Sequence, residues 1–220
     1  MEVELLHHTP LSISASAIRQ CWDSYDKGGC YNEPTDDLIQ ADIDLIKRVV
    51  KKHKHQSTIE HVFYNFNING ISRACLQELA RHRMASFSVK SSRYTLKELK
   101  SEETFINVIT DFDDIKYDKK RAEKYIVFTG NNDVDSVSVL SLELLRENIQ
   151  SGISNDIAKY SLPESYKTSL YFSINARSLM NFLELRTSKA ALWEIQDLAY
   201  KIYDTLPNEH KFLYDITERK

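Results

Sequence analysis

Hydrophobic positions along the chain recur at two different periods, and the switches between them mark out the elements. Ser14 to roughly Tyr25 has the spacing of a short helix, and Gly28-Gly29-Cys30-Tyr31-Asn32-Glu33-Pro34 is a turn-rich loop. From about Asp36, Leu38, Ile39, Ile43, Ile46, Val49 and Val50 form one apolar stripe and predict a second helix. The period then drops to two. Val62, Tyr64, Phe66 and Ile68 alternate with Phe63, Asn65, Asn67 and Asn69, which predicts a strand with one mostly polar face, ended by Gly70. Ser72 can cap a helix running through Leu76 and Leu79 to about Arg83. Phe87 to Tyr94 is Ser-rich and reads as extended or looped.

The highly charged stretch from Asp111 to Lys120 reads as a mobile insertion. Asp133 to Gln150 predicts a long helix carrying Val137, Leu140, Leu144 and Leu145. Ile157 to Ser161 is a helical turn ended by Pro163, and Tyr166 to Ile174 alternates as a second long strand. Asn175 can cap a further helix, with Leu179, Phe182, Leu183 and Leu185 on its buried side, and Trp193 to Leu206 gives a last one stopped at Pro207. Helical runs separated by isolated strands indicate an α+β chain, with helices packed on an antiparallel-rich sheet in a single domain spanning residues 1–220. No glycine-rich turn joins a strand to a helix, so a Rossmann or P-loop site is not expected.

Composition narrows the function. The chain has 220 residues, 42% hydrophobic and 28% charged, the balance of an ordinary globular protein. A net charge of −3 argues against a protein that coats nucleic acid, which must neutralise many phosphates. It leaves room for a small anion held by a few local cations. No apolar run is long enough to cross a bilayer, and the acidic start Met1-Glu2-Val3-Glu4 lacks the layout of a signal peptide. Cys21, Cys30 and Cys75 have no metal-ligand spacing and fit a reducing compartment; the expected location is the cytoplasm.

Three clusters could carry chemistry. Arg81 to Tyr94 holds four permanent cations (Arg81, Arg83, Lys90, Arg93), His82 and four serines. Guanidinium forks suit phosphates because they donate paired, charge-assisted hydrogen bonds. The plainer alternative is a solvated basic helix end, since runs of charge more often lie on the surface. His53, His55 and His61 accompany Glu60, yet the His-Glu-x-x-His spacing of a zinc site is absent, and no metal site is expected. Asn175, Ser178 and Asn181 fall three apart and line one polar edge of their helix, flanked by Arg177 and Arg186; helix capping is a sufficient alternative. No nucleophile stands out. Cys75 lies in an apolar helix and Ser91 has no local base, so a carbon–carbon bond would need a cofactor.

Taken in order, these blocks resemble the flavin-dependent thymidylate synthases. Arg81-His82-Arg83 is followed by seven residues and Ser91; His55-x-Ser57-x-x-Glu60-His61 precedes it, and Asn175-Ala176-Arg177-Ser178-Leu179-x-Asn181-Phe182 follows. The resemblance covers about His53 to Gln196. It implies a homotetramer around bound FAD that converts dUMP to dTMP, with methylenetetrahydrofolate as carbon donor and NADPH as reductant. Reduced flavin would deliver hydride, with no cysteine attacking the pyrimidine.

By family position, Ser57, Arg81, His82, Arg83, Asn175, Ala176, Arg177 and Asn181 would contact FAD. Glu78, Leu79, Ala80, Arg81, Ser91, Ser92 and Arg93 would line dUMP, with Lys159 near its phosphate. Arg186 matches the arginine that polarises the uracil. Glu78 stands where Gln is frequent, Val89 where Glu or Gln is, Lys159 where Arg is, and Ala190 where His is. Two alternatives are an RNA-binding module built on Arg81 to Arg93 and a metal-dependent hydrolase centred on His53, His55 and His61.

Overall fold

The computed structural model describes residues 1–109 and 115–218. Its strands and α-helices run in the order β1 (Glu2–His8), α1 (Ser12–Cys21), α2 (Gln40–Ile46), β2 (Phe63–Ser72), α3 (Arg73–Leu79), β3 (Ala85–Val89) and α4 (Ser92–Thr95). Then come β4 (Ile106–Ile109), β5 (Ile115–Tyr117), α5 (Lys119–Ala122), α6 (Asn132–Gln150), α7 (Asn155–Ala158), β6 (Lys167–Asn175), α8 (Ala176–Arg186) and α9 (Trp193–Thr205). Four strands hydrogen-bond in the order β1-β2-β6-β3, and β4 pairs antiparallel with β5. The chain is α+β, mixed helices with sheet.

By contact density it divides into two compact units. The first comprises Met1–Ile68, Glu78–Ser88 and Tyr171–Lys220; the second comprises Asn69–Gln77 and Val89–Leu170. In the first, α9 packs on β1 and α8 packs on α9. Tyr64, Phe66 and Ile68 of β2, with Phe172 and Ile174 of β6, are fully or almost fully buried, as their alternation predicts. Phe66 stacks with Phe172 at 6.2 Å between ring centres, and Phe172 meets Phe182 at 6.4 Å. Burying a phenylalanine stabilises by about 1.5–3 kcal/mol, so this aromatic row gives α8 a stiff base. In the second unit α6 is the spine. Val139, Leu142, Leu145 and Ile149 form its core with Leu96, Leu99 and Phe105, while Asn131 accepts hydrogen bonds from the Asp133 and Val134 amides at the helix start.

Several boundaries differ from the sequence reading, each for a local reason. Strand β2 passes through Gly70, whose φ of 76° suits glycine, and ends at Ser72. Ser72 does cap α3, accepting from the Cys75 amide at 3.0 Å, but α3 stops at Leu79 and leaves Arg81-His82-Arg83 in the turn before β3. The second helix starts at Gln40 and widens into a π-helical turn at Lys47–Lys52. Ile39 on its expected apolar stripe is exposed, whereas Asp42 is fully buried because Arg19 and Tyr31 hydrogen-bond its carboxylate. Val137, Leu144 and Leu185 are exposed too; the buried face of α6 is rotated toward Val139 and Leu142. Strand β1 was not anticipated. Of the charged stretch, residues 111–114 lie outside the described residues, while Ile115–Tyr117 is strand β5 and Lys119–Ala122 helix α5.

Candidate functional site

The first unit holds a cleft of about 1170 Å³, walled by the turn after α3 (Arg81, His82, Arg83, Met84), the polar edge of α8, and Gln56 and Glu60. Helix α8 forms this wall because Asn175 fixes its start. The Asn175 Oδ1 accepts from the Ser178 amide at 2.8 Å, and the Ala176 amide donates to the Val62 carbonyl at 2.7 Å. With Leu179, Phe182 and Leu183 turned into the core, Arg177, Asn181 and Arg186 face the cleft.

At the end of α8, Arg186 is locked by three donated hydrogen bonds. Its Nε reaches His82 Nε2 at 3.0 Å, Nη1 reaches the Glu78 carboxylate at 2.8 Å, and Nη2 reaches the Glu78 carbonyl at 3.1 Å. Three of the five N–H groups are thus committed and two remain to donate. The Arg186 bond holds the Glu78 carboxyl below the usual range, so it is ionised at neutral pH. Burial, then the Arg186 charge, pushes His82 down from 6.5 to about 4, and the ring is neutral. Because its Nε2 accepts from Arg186, the proton must sit on Nδ1. The other face of the ring meets Phe182 edge-on at 5.0 Å. The result is a fixed cation, aimed by a neutral imidazole and a carboxylate.

Sequence-predicted residues are placed as follows. Arg81, His82, Arg83, Asn175, Arg177, Asn181 and Arg186 wall the cleft. Ser57 is exposed on the turn whose neighbours Gln56 and Glu60 form the wall instead; Leu79 and Ala176 are fully buried, and Ala80 is exposed. Ser91, Ser92, Arg93 and Lys159 belong to the second unit. There Arg93 grips Asp156 with two bonds, at 2.6 and 3.1 Å, and Asn155 donates to the Arg93 carbonyl at 2.7 Å. The Arg93 bond, aided by the Lys159 charge, lowers the Asp156 carboxyl.

Glu60 lies in the His53–His61 cluster and Glu184 in the Asn175–Arg186 stretch, but the sequence assigns neither a contact; with Gln56 they line the cleft. Glu60 pairs with Arg177 across 117 residues, a separation that no local pattern reveals.

Both alternatives lose support. Arg81, Lys90 and Arg93 each pair with a carboxylate (Glu78, Glu98 and Asp156), so the basic segment is largely neutralised where RNA binding needs open charge. Arg83 is the exception, making no ion pair among the described residues. His53, His55 and His61 are all exposed and form no metal-capable group among the described residues.

A family model described as "Thymidylate synthase complementing protein" matches residues 4–210. A flavin-dependent thymidylate synthase of Campylobacter jejuni is 54% identical over 98% of this chain and 96% of its own length. The chain belongs to the flavin-dependent thymidylate synthase family. It is therefore an enzyme. A family member from Wolinella succinogenes is 53% identical, over 99% of both chains. Among solved structures, the Helicobacter pylori flavin-dependent thymidylate synthase complexed with FAD and dUMP is similar with a TM-score of 0.86 and 50% identity, covering 98% of each chain. The expected order of the Arg81–Arg83, Ser91 and Asn175–Asn181 blocks thus pointed to the right family.

Proposed function

We propose that this chain converts dUMP to dTMP, with FAD as its cofactor, methylenetetrahydrofolate as carbon donor and NADPH as reductant. The observation that carries the reading is the locked Arg186 at the wall of a cleft lined by the family's arginine and asparagine blocks. The cleft exceeds the roughly 300–1,000 Å³ of a drug-sized pocket, which fits a dinucleotide. Arg83, uncommitted, suits a phosphate oxygen, and Asn181 offers an amide donor and acceptor. Ser57, Arg81, His82, Asn175, Ala176 and Arg177 complete the FAD-contacting set by family position. FAD, once reduced, supplies the hydride.

The chain's own part is to bind, orient and polarise. Arg186 presents its two remaining N–H donors to the uracil, and a fixed cation beside a developing anion stabilises it. Glu78, Leu79, Ala80, Arg81, Ser91, Ser92 and Arg93 line dUMP in this reading, with Lys159 near the phosphate. No thiol is needed. Cys75 is fully buried, and neither Cys21 nor Cys30 borders the cleft, which supports a route without a cysteine nucleophile.

We also read the two compact units as one functional domain, and the assembly as a cytoplasmic homotetramer. Val134, Val137 and Leu144 leave an exposed apolar stripe on α6 that supports self-association. No helix among the described residues is long and apolar enough to cross a membrane. The test is direct. Purified protein should carry or take up one FAD per chain and, with dUMP, methylenetetrahydrofolate and NADPH, release dTMP. Protein that stays colourless after incubation with FAD overturns the reading.

A further inference from the structure

His8 closes strand β1, Asp36 precedes α2, and His210 lies in the 3-10 turn Asn208–Leu213 that follows α9. Separations of 28 and 174 residues hide their meeting from any sequence pattern, yet all three converge within the first unit. His8 Nε2 lies 2.7 Å from one Asp36 oxygen and His210 Nε2 lies 2.7 Å from the other. One ligand atom from each residue falls within 4.8 Å of the other two. The imidazoles stand edge to face, 5.1 Å between ring centres.

Outside this triangle a second layer fixes His210. Its Nδ1 is 2.7 Å from the Tyr64 hydroxyl, which accepts in turn from the Tyr214 hydroxyl at 2.8 Å. The Leu11 amide donates to Asp36 at 2.7 Å. None of these groups takes part in the thymidylate-forming cleft. A histidine whose other nitrogen is hydrogen-bonded, with a carboxylate that is itself held by an amide, is the outer arrangement that metal ligands use.

We propose that His8, Asp36 and His210 form a binding site for one divalent transition-metal ion of the zinc class. Two imidazoles and a carboxylate suit such an ion, and at least one position is left for water. Metal–nitrogen and metal–oxygen bonds of about 2.0–2.2 Å set tetrahedral ligand atoms about 3.3 Å apart. The two short contacts therefore open by about half an ångström, and His8, half-buried at the end of its strand, closes toward His210. Both Nε2 lone pairs turn to the ion and each ring keeps its proton on Nδ1. For His210 that proton points at Tyr64, whose oxygen then accepts from both His210 and Tyr214, so the Tyr64 O–H gives up His210 as its acceptor and metal binding carries that cost. A cleft of about 570 Å³ reaches Asp36 from solvent; its wall carries Asp37 and Glu209 against one cation, Lys47, so the carboxylates outnumber it. The bound ion would clamp the turn after α9 to β1. With three protein ligands, it should be held less tightly than in a four-ligand structural site.

The experiment uses the untagged full chain. Titration with cobalt(II) should give visible d–d absorption saturating at one equivalent, and zinc should displace it. Zinc should also raise the melting temperature, because an ion that binds only the folded state stabilises it. His8→Ala, a change at a half-exposed strand end, should weaken cobalt binding at least tenfold while the chain still folds and takes up FAD. The double variant His53→Ala/His55→Ala should bind as the native chain does. Absence of saturable binding, binding unchanged in His8→Ala, or binding lost in the double variant would each overturn the site, and the triangle would then be a hydrogen-bonded tie. Uptake of FAD is read separately, so failure here leaves the thymidylate synthase reading untouched.

Discussion

Arg186 and Arg93 are both arginines gripped by a carboxylate, in residue sets assigned to the same substrate, yet they sit in opposite surroundings. The Arg186 side chain is 15% exposed and its Glu78 partner 30%, whereas Arg93 and Asp156 are 57% and 58% exposed. Arg186 is also bonded to a neutral histidine and a backbone carbonyl, so its direction is set by three groups. Arg93 is hydrogen-bonded to the Asp156 carboxylate and lies over the exposed Tyr94 ring at 6.0 Å. Water and salt screen an exposed pair almost completely, but screen a part-buried, preorganised cation far less. The first arrangement can stabilise charge that develops during a reaction. The second can steer and hold an anion, such as a nucleotide phosphate, by exchanging Asp156 for it.

The sharpest way to break this contrast is Arg186→Ala. Removing a preorganised electrostatic group typically lowers kcat by about 10²–10³, and dTMP formation should fall by at least that much. FAD should remain bound, because the other arginines of the cleft are untouched. Flavin absorbance after gel filtration and single-turnover dTMP formation read the two effects separately. Loss of the flavin with the activity would show that Arg186 holds the cofactor and does not polarise the pyrimidine.

How much of this could be read along the chain depends on how far apart the partners lie. The cap at Asn175, the alternation in β6 and, apart from the exposed Leu185, the apolar side of α8 are local, and they emerge with correct residues. The end of α3 at Leu79 is not, since no glycine or proline follows it and Ala80 to Met84 could extend a helix. Strand β1 was missed because none of its residues is fully buried, so it carries no core-facing signal. No local pattern marks Asp42 as buried, because its partner Arg19 lies 23 residues earlier. The grip of Glu78 and His82 on Arg186 spans 104 to 108 residues, and only the fold reveals it. The resemblance singles out Arg186, and the structure shows which groups aim it.

A smaller effect tests the neutral histidine of that lock. The pKa of His82 is depressed in the folded state, from 6.5 to about 4, so the unfolded chain binds more protons between these values. Its contribution is present in full above pH 6.5 and is lost as the pH falls from 6.5 toward 4. The shift corresponds to about 3 kcal/mol at most, and less once solvent screening of the partly exposed ring is counted. Gln at this position can accept from Arg186 without titrating. In urea unfolding, His82→Gln should therefore lose less stability between pH 6.5 and 4 than the native chain does. Identical acid slopes would mean that His82 is protonated in the folded protein, and the hydrogen bond from Arg186 would have to break.

The smallest effect belongs to the exposed arginine. In Arg93→Ala the melting temperature should hardly move, because an ion pair in open solvent contributes little to folding. What should change is the encounter with an anionic substrate. If Arg93 lines dUMP as proposed, its loss should raise the KM for dUMP by about tenfold, the factor that 1.4 kcal/mol of binding represents. The kcat should stay within about twofold, since the proposed reading has the charge that builds up in the reaction stabilised at Arg186. Raising the salt from 0.05 to 0.5 M, values on the order used to screen surface charge, should narrow the gap in KM between variant and native enzyme. The same salt change should leave the Arg186→Ala defect in kcat almost unaltered. If instead Arg93→Ala lowered kcat as strongly as Arg186→Ala, and did so at every salt concentration, the exposed pair would be part of the reacting centre. The distinction between a cation that steers and a cation that polarises would then collapse.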